Sequence, residues 1–252
     1  MDIRWILASA VLLLSGPSKP NGVPVRWAEG TVHGFVELRS QAGELLAQGD
    51  LLQVPRDSDI ESRLVFRFKD SSVFRETVTF TQHGVFQLET YRLQQSGKAF
   101  AADIDVTLSR SGEYEVTSTS HKDGKEKRYS GKLDLPPDTY NGLIPVIGKN
   151  IDRQASRTLH VVAFTPKPII IGLEFVPAPA DRGVVRFTLK PKLNLLQRVG
   201  AKLTRQTPPD SHLWILTDEV PAFVRFEGPL YSGPVWRVDV TSPRWSEERP
   251  KT

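Results

Sequence analysis

Residues 63–91 read RLVFRFKDSSVFRETVTFTQHGVFQLETY, and this stretch decides the fold class. Apolar and polar residues alternate through three runs that are separated by Asp70-Ser71-Ser72 and His83-Gly84. In the middle run one face carries Phe74, Glu76, Val78 and Phe80. Such period-two alternation, interrupted by turn residues about every ten positions, predicts consecutive antiparallel strands joined by hairpins.

The same alternation continues on both sides of this stretch and predicts about a dozen strands in all. The further strands are expected at 31–39, 44–54, 104–108, 114–120, 157–164, 168–176, 184–189, 213–217, 222–227 and 235–241. The last two form a hairpin whose aromatic residues are expected mostly in the core: Phe223, Phe226, Tyr231 and Trp236. A sheet of this size rarely stays open and flat. We therefore expect an all-β domain built from a single large curved antiparallel sheet, a half barrel or a barrel, with one or two short helices.

Helical patterns are confined to two short segments. The first begins at Asp138, which is expected to be its N-cap residue, and Pro145 and Gly148 limit its length. The second is residues 193–199, which Gly200 ends. Because two prolines lead into the first segment, a defined turn is expected there. That segment either plugs the interior of the curved sheet or forms an ordered crossover, and the sequence leaves both alternatives open.

The two ends of the chain differ from the body. Residues 1–16 combine a basic residue with about ten mostly apolar residues, as in a secretory signal peptide, and are too short for a typical membrane span. Residues 17–30 are expected to form a flexible proline-rich tether, residues 31–242 the antiparallel β domain and residues 243–252 a C-terminal tail. The expected location is the periplasm or the cell envelope. Since the chain has no cysteine, it is not a lipoprotein lipidated on cysteine.

Composition and motifs exclude several functions. The net charge of +4 is too small and dispersed to indicate nucleic-acid binding, and the five histidines show no metal-ligand spacing. Hydrolase nucleophile and phosphate-binding glycine motifs are absent from the sequence. Asp103 and Asp105 share a strand face, which suits acid–base chemistry but is more typical of a solvated strand. We expect a non-enzymatic protein without catalytic residues, metal or cofactor. A hydrolase with a site assembled from distant residues is the third alternative.

Three short motifs within this meander carry a resemblance. They are VFRETVTF at 73–80, LPPDTYNG at 135–142 and WIL at 214–216. With the predicted signal peptide, they make the chain resemble a family of exported bacterial β-rich proteins, distantly similar to the lipoprotein-carrier (LolA/LolB-like) half barrel. In those carriers an antiparallel sheet wraps around helices and leaves an apolar cavity for acyl chains. The resemblance spans residues 31–241 and implies a similar interior. The chain departs from the carriers in its small helical content, and no functional residue of theirs is matched.

The leading expectation is an exported protein that binds or carries a lipid or another apolar ligand inside the curved sheet. The partner is then a lipid or a lipoprotein acyl chain, and basic residues near apolar ones suit contact with a membrane surface. The residues expected to border the ligand are those of the central helical segment and its continuation, Tyr140, Leu143, Ile144 and Ile147. The alternative is an envelope structural or protein-interaction module with a filled interior and a partner on a strand edge. The oligomeric state is left open.

Overall fold

The computed structural model describes residues 22–164, 167–179, 183–193 and 209–241. These residues form a single sheet of fourteen strands and one short helix, α1 (Ile144–Asn150). The strands are β1 (Val32–Arg39), β2 (Leu45–Arg56), β3 (Asp59–Phe68), β4 (Val73–His83), β5 (Val85–Ser96), β6 (Ala102–Ser109), β7 (Glu113–Ser120), β8 (Glu126–Lys132), β9 (Arg157–Ala163), β10 (Ile169–Pro179), β11 (Val184–Lys192), β12 (Ser211–Leu216), β13 (Ala222–Gly228) and β14 (Trp236–Thr241). The predicted signal peptide, the C-terminal tail and residues 194–199 of the second predicted helix lie outside the described residues.

Two antiparallel meanders join to make the sheet. Strands β1 to β8 follow one another in order, and after a crossover β9 to β14 follow in order until β14 pairs with β1. The two edges of the sheet are therefore β8 and β9, and the sheet is not closed into a barrel. The prediction of one large antiparallel sheet is confirmed, and the crossover between the two edge strands holds α1.

Two aromatic contacts show how strongly the sheet bends. The ring of Tyr91 in β5 lies 6.1 Å from that of Phe164, which follows β9 directly. The ring of Phe100, in the turn between β5 and β6, lies 6.3 Å from that of Trp236 in β14. Neighbouring strands lie about 4.8 Å apart, so a flat sheet would hold β5 and β9 on the order of 50 Å apart. The sheet therefore curls around a concave face that carries the core.

One line of paired residues crosses the concave face from β1 to β8. Its members are Gly34, Leu51, Leu64, Glu76, Leu93, Val106, Val116 and Tyr129. The strands present every second residue to this face, as the alternation in the sequence predicts. Leu93, Val106 and Val116 are buried, whereas the other members keep some accessible surface. Glu76 is the one charged residue in the line.

The helix differs from its prediction in position. It begins at Ile144, and Leu143 precedes it without a side-chain cap. Asp138 is not the N-cap residue, because its carboxylate lies 2.7 Å from Nδ1 of His160 and the backbone beside it forms a parallel bridge with β9. Pro145 lies in the first turn, where a missing N–H costs nothing. Gly148 lies inside the helix, where a Cβ would collide with the side chain of Leu213.

Residues 22–30 pack on the domain, although the sequence predicted a flexible tether there. Val23 is fully buried, and the backbone N–H of Phe86 donates to its carbonyl at 2.9 Å. The backbone N–H of Val25 donates to the carbonyl of Gly84 at 3.0 Å. The packed region of the described chain therefore begins at Gly22 rather than at Thr31. Pro24 follows Val23 and favours an extended backbone there, which suits edge contacts better than helix formation.

Candidate functional site

The crossover between β8 and β9, residues 133–156, enters the concave face of the sheet. Its helix α1 packs against β12 and β13. On the opposite side Gly142 lies against the side chains of Tyr91 and Val78, which belong to β5 and β4. The crossover thus occupies the space between the two arms of the curved sheet. It is ordered, and it also fills part of the interior.

All four residues predicted to border a ligand lie on this crossover, on the concave side of the sheet. Tyr140, Leu143 and Ile147 are fully buried in the hydrophobic core. Ile144 is half-buried and packs against the same core. The structure therefore brings the four together, and Ile144 is the member that keeps accessible surface. Their contact with a ligand remains a prediction.

Buried polar groups hold the crossover in place. The hydroxyl of Tyr140 accepts a hydrogen bond from the backbone N–H of Val23 at 2.8 Å and donates to the carbonyl of Phe86 at 3.1 Å. Burial raises the pKa of Tyr140, so the hydroxyl keeps its proton. The side-chain amide of Asn141 donates to the carbonyl of Val162 at 2.9 Å and accepts from its N–H at 2.8 Å. These contacts cover the edge of β9 and fix the crossover in its position on the concave side of the sheet.

A second buried polar cluster joins α1 to the N-terminal segment. The carboxylate of Glu29 forms an ion pair with Lys149 at 2.6 Å and accepts a hydrogen bond from the side chain of Gln53 at 2.8 Å. The backbone of Glu29 exchanges two hydrogen bonds with the side chain of Gln82. Asn150 accepts from the backbone N–H groups of Arg26 and Trp27. Since these groups satisfy one another's hydrogen bonds, we interpret this cluster as a stabilising element of the fold rather than as a ligand-binding site.

Glu76 is different, because it lies on the apolar concave face and has one hydrogen-bond partner among the described residues. The hydroxyl of Tyr91 donates to Oε1 of Glu76 at 2.9 Å. Burial raises the pKa of Glu76 to about 7, and the hydrogen bond from Tyr91 opposes this shift only in part. Among the described residues, no lysine, arginine or histidine forms an ion pair with Glu76. Sequence analysis did not single out this residue; the available sign was one acidic side chain on an otherwise apolar strand face.

Several apolar side chains keep accessible surface although they pack against the core on the concave side. For example, Phe223 pairs with Ile215, and Phe226 pairs with Leu213 and Val238. These three partners are buried core residues. The half-buried apolar residues packed against the core include Leu51, Leu64, Ile144, Phe223, Phe226, Leu230 and Tyr231. Of the aromatic residues predicted to lie mostly in the core, only Trp236 is buried, and the other three are half-buried. Part of the apolar surface on the concave side therefore stays accessible in the described part of the chain.

Asp103 and Asp105 lie on the outer face of β6, and each is held by a fixed partner. Nε2 of His121 lies 2.8 Å from an oxygen of Asp103. Arg92 makes two hydrogen bonds to Asp105, at 3.2 and 2.8 Å. Burial acts to raise the pKa of Asp105, but the hydrogen bonds from Arg92 and Gln94 outweigh it and leave the pKa lowered. A carboxyl held ionised by an arginine suits a surface ion pair better than a general acid.

Other site types find no support in the part of the chain that the structure describes. It contains no group of three or more His, Cys, Asp or Glu side chains placed to hold a metal ion. None of its helices has the length and hydropathy to cross a membrane. Comparison of the chain with protein-family models, curated proteins and solved structures found no match. The similarity to lipoprotein carriers therefore remains a prediction from the sequence.

Proposed function

We propose that the protein binds the apolar chain of a lipid, or of a lipoprotein, on the concave face of its sheet, and that it does so as an exported, non-enzymatic protein of the cell envelope. The observation that carries this proposal is the set of inward-facing apolar side chains that retain accessible surface. Five of them belong to the strands and the segment between β13 and β14: Leu51, Leu64, Phe223, Phe226 and Leu230. Covering such surface with an alkyl chain is favourable by about 25 cal/mol per Å².

The geometry of the crossover supports a slender ligand rather than a bulky one. A curved sheet either fills its interior with side chains or leaves room for a ligand. Here Tyr140, Leu143 and Ile147 fill part of the interior and Ile144 lies at the border of that filled part. Because hydrogen bonds already hold the crossover in place, an alkyl chain binds without first ordering the protein. This lowers the entropic cost of binding.

A second candidate function is a protein-interaction module, and the open edge of the sheet favours it. Among the described strands β8 pairs only with β7, and its other edge is available for an added strand. Charges on an edge strand discourage pairing with an added strand. β8 carries three such exposed charges, Lys127, Arg128 and Lys132. We therefore rank lipid binding first.

Native mass spectrometry of the protein purified from a cell-envelope fraction tests the proposal. Organic extraction of the same sample identifies any bound lipid. The informative variant is Leu64→Gln, which makes the concave face polar, and the matched control is Phe35→Gln on the outer face, where Phe35 is 36% exposed. We expect copurifying lipid with the wild type and the control, and its loss in Leu64→Gln. A bare polypeptide mass for the wild type, unchanged after incubation with phospholipid vesicles, would overturn the proposal.

A further inference from the structure

The position of Glu76 is unusual for a carboxyl group. The surrounding protein desolvates it strongly enough to raise its pKa to about 7, yet its side chain retains accessible surface. Both properties agree with the position of Glu76 on the concave face of the sheet. Its line of neighbours on the concave face places Leu64 on one side and Leu93 on the other. The carboxyl is therefore a polar group set into an apolar surface.

Tyr91 fixes the orientation of this carboxyl. It donates its hydroxyl hydrogen to Oε1 at 2.9 Å, while its ring stacks on Phe164 at 6.1 Å. The tyrosine is itself buried, with 4% of its surface exposed. Because one carboxylate oxygen is engaged and the described residues offer no hydrogen bond to the other, Oε2 remains free to accept a hydrogen bond.

The charged and titratable groups that face this pair are few. From β3 the neighbour is Leu64, and from β5 the neighbours are Leu93 and Tyr91. The segment between β13 and β14 contributes Tyr231, which raises the pKa of Tyr91 further. Among the described residues, the titratable groups acting on Glu76 and Tyr91 are thus each other and Tyr231, and none of them supplies a positive charge.

We propose that Glu76, oriented by Tyr91, binds the head group of the concave-face ligand, and that this head group is a primary ammonium. This proposal rests on the lipid-binding function proposed above and names the chemical class of the lipid. An ammonium group supplies both the positive charge and the hydrogen-bond donor that the described surroundings of Oε2 lack. A fatty acid would place a second carboxylate beside the first, which is unfavourable.

The charge state of Glu76 gives this site a characteristic pH dependence. Ammonium binding requires the ionised carboxylate, whereas a long-chain amine stays protonated well above neutral pH. Because burial raises the pKa of Glu76 to about 7, affinity for an ammonium amphiphile increases as the pH rises from 6 to 8. The expected gain over this range is about tenfold. Binding of an uncharged amphiphile of the same chain length lacks this dependence.

Isothermal titration calorimetry with three probes of equal chain length tests the proposal: dodecylammonium, dodecanol and dodecanoate, each below its micelle concentration. The wild type is compared with Glu76→Gln, which keeps a hydrogen-bonding side chain without the charge. Glu115→Gln is the matched control, since Glu115 is exposed on β7. We expect Glu76→Gln to weaken dodecylammonium binding at least about tenfold and to leave dodecanol binding unchanged. The control variant is expected to bind all three probes like the wild type.

The outcomes separate the two proposals. If the wild type binds the three probes equally and Glu76→Gln has no effect, the head-group assignment is wrong while lipid binding stands. If the wild type binds none of the probes or phospholipids, both proposals are wrong. Thermal unfolding followed by circular dichroism shows whether Glu76→Gln is folded. If Glu76→Gln is unfolded, the pH dependence of dodecylammonium binding to the wild type tests the head-group assignment instead. An affinity that does not change between pH 6 and 8 overturns the assignment.

Discussion

The rings of Tyr91 and Phe164 stack with 6.1 Å between their centroids and 5° between their planes, although nine strands lie between β5 and β9 in the sheet. This contact brings edge strand β9 back over the opposite arm. The same tyrosine donates its hydroxyl hydrogen to Glu76. One side chain therefore contributes both to the curvature of the sheet and to the orientation of the inward-facing carboxyl.

Replacing Phe164 with alanine is expected to destabilise the fold by about 3–5 kcal/mol, because it removes a buried ring and leaves a cavity against Tyr91. Urea unfolding followed by circular dichroism measures this change. Phe35→Ala is the control, since Phe35 is 36% exposed on the outer face and is expected to cost about 1 kcal/mol or less. Equal losses in the two variants would contradict the role assigned to the stack.

Glu76 is expected to make the protein less stable as the pH rises. Its pKa is about 7 in the folded state because burial disfavours the charge, against an ordinary value of 4.5. Between these values the folded chain holds a proton that the unfolded chain has lost, so stability falls with increasing pH. The full cost above pH 7 is about 3 kcal/mol. Glu76→Gln removes this cost, so the variant should gain stability over the wild type between pH 5 and pH 8.

Urea unfolding of both proteins at the two pH values measures that difference. The exposed Glu115 provides the control, because Glu115→Gln should follow the wild type at both pH values. A difference between wild type and Glu76→Gln that stays constant from pH 5 to pH 8 would show that the carboxyl is not desolvated.

Most strands follow from alternation alone, because burial on one face imposes a period of two on the sequence. The exception is β8, whose residues EKRYSGK are almost all exposed and carry no such period. It forms one of the two edges of the sheet. An edge strand with two solvated faces has no buried face to impose the alternation of apolar and polar residues, so the sequence pattern does not predict it.

The candidate site was predicted only in part, and for a physical reason. A position inside the curve was one of the two alternatives that the sequence left open for the segment with Tyr140, Leu143, Ile144 and Ile147. The role of Asp138 did not follow from the sequence, because its carboxylate contacts His160 of β9, a partner distant in the sequence. Glu76 escaped notice because its hydrogen-bond partner Tyr91 is brought to it by strand pairing and its burial by the curvature of the sheet. Local patterns carry no information on such contacts.

The hydroxyl of Tyr140 is expected to stabilise the crossover in addition to the burial of its ring. Phenylalanine in its place would leave the backbone N–H of Val23 without its buried acceptor, which costs about 1–3 kcal/mol. Urea unfolding measures the loss, and amide hydrogen exchange at Val23 should accelerate. For comparison, Tyr129→Phe should change stability little, since its hydroxyl makes no hydrogen bond in the described part of the chain. If the free energy of unfolding of Tyr140→Phe equals that of the wild type, water replaces the lost hydroxyl as the acceptor for the N–H of Val23.

The ion pair between Glu29 and Lys149 should show strong coupling between its two members. The side chains are 3% and 15% exposed, so either charge left alone would be buried without compensation. Lys149→Met alone is expected to cost about 3–5 kcal/mol, because Glu29 then keeps only the hydrogen bond from Gln53 and loses its counter-charge. The double variant Glu29→Gln/Lys149→Met removes both charges and should recover most of that loss. A double-mutant cycle by urea unfolding measures the coupling. Additive losses would show that the two charges are solvated independently, and the N-terminal segment would then be held by Asn150 and Val23 instead.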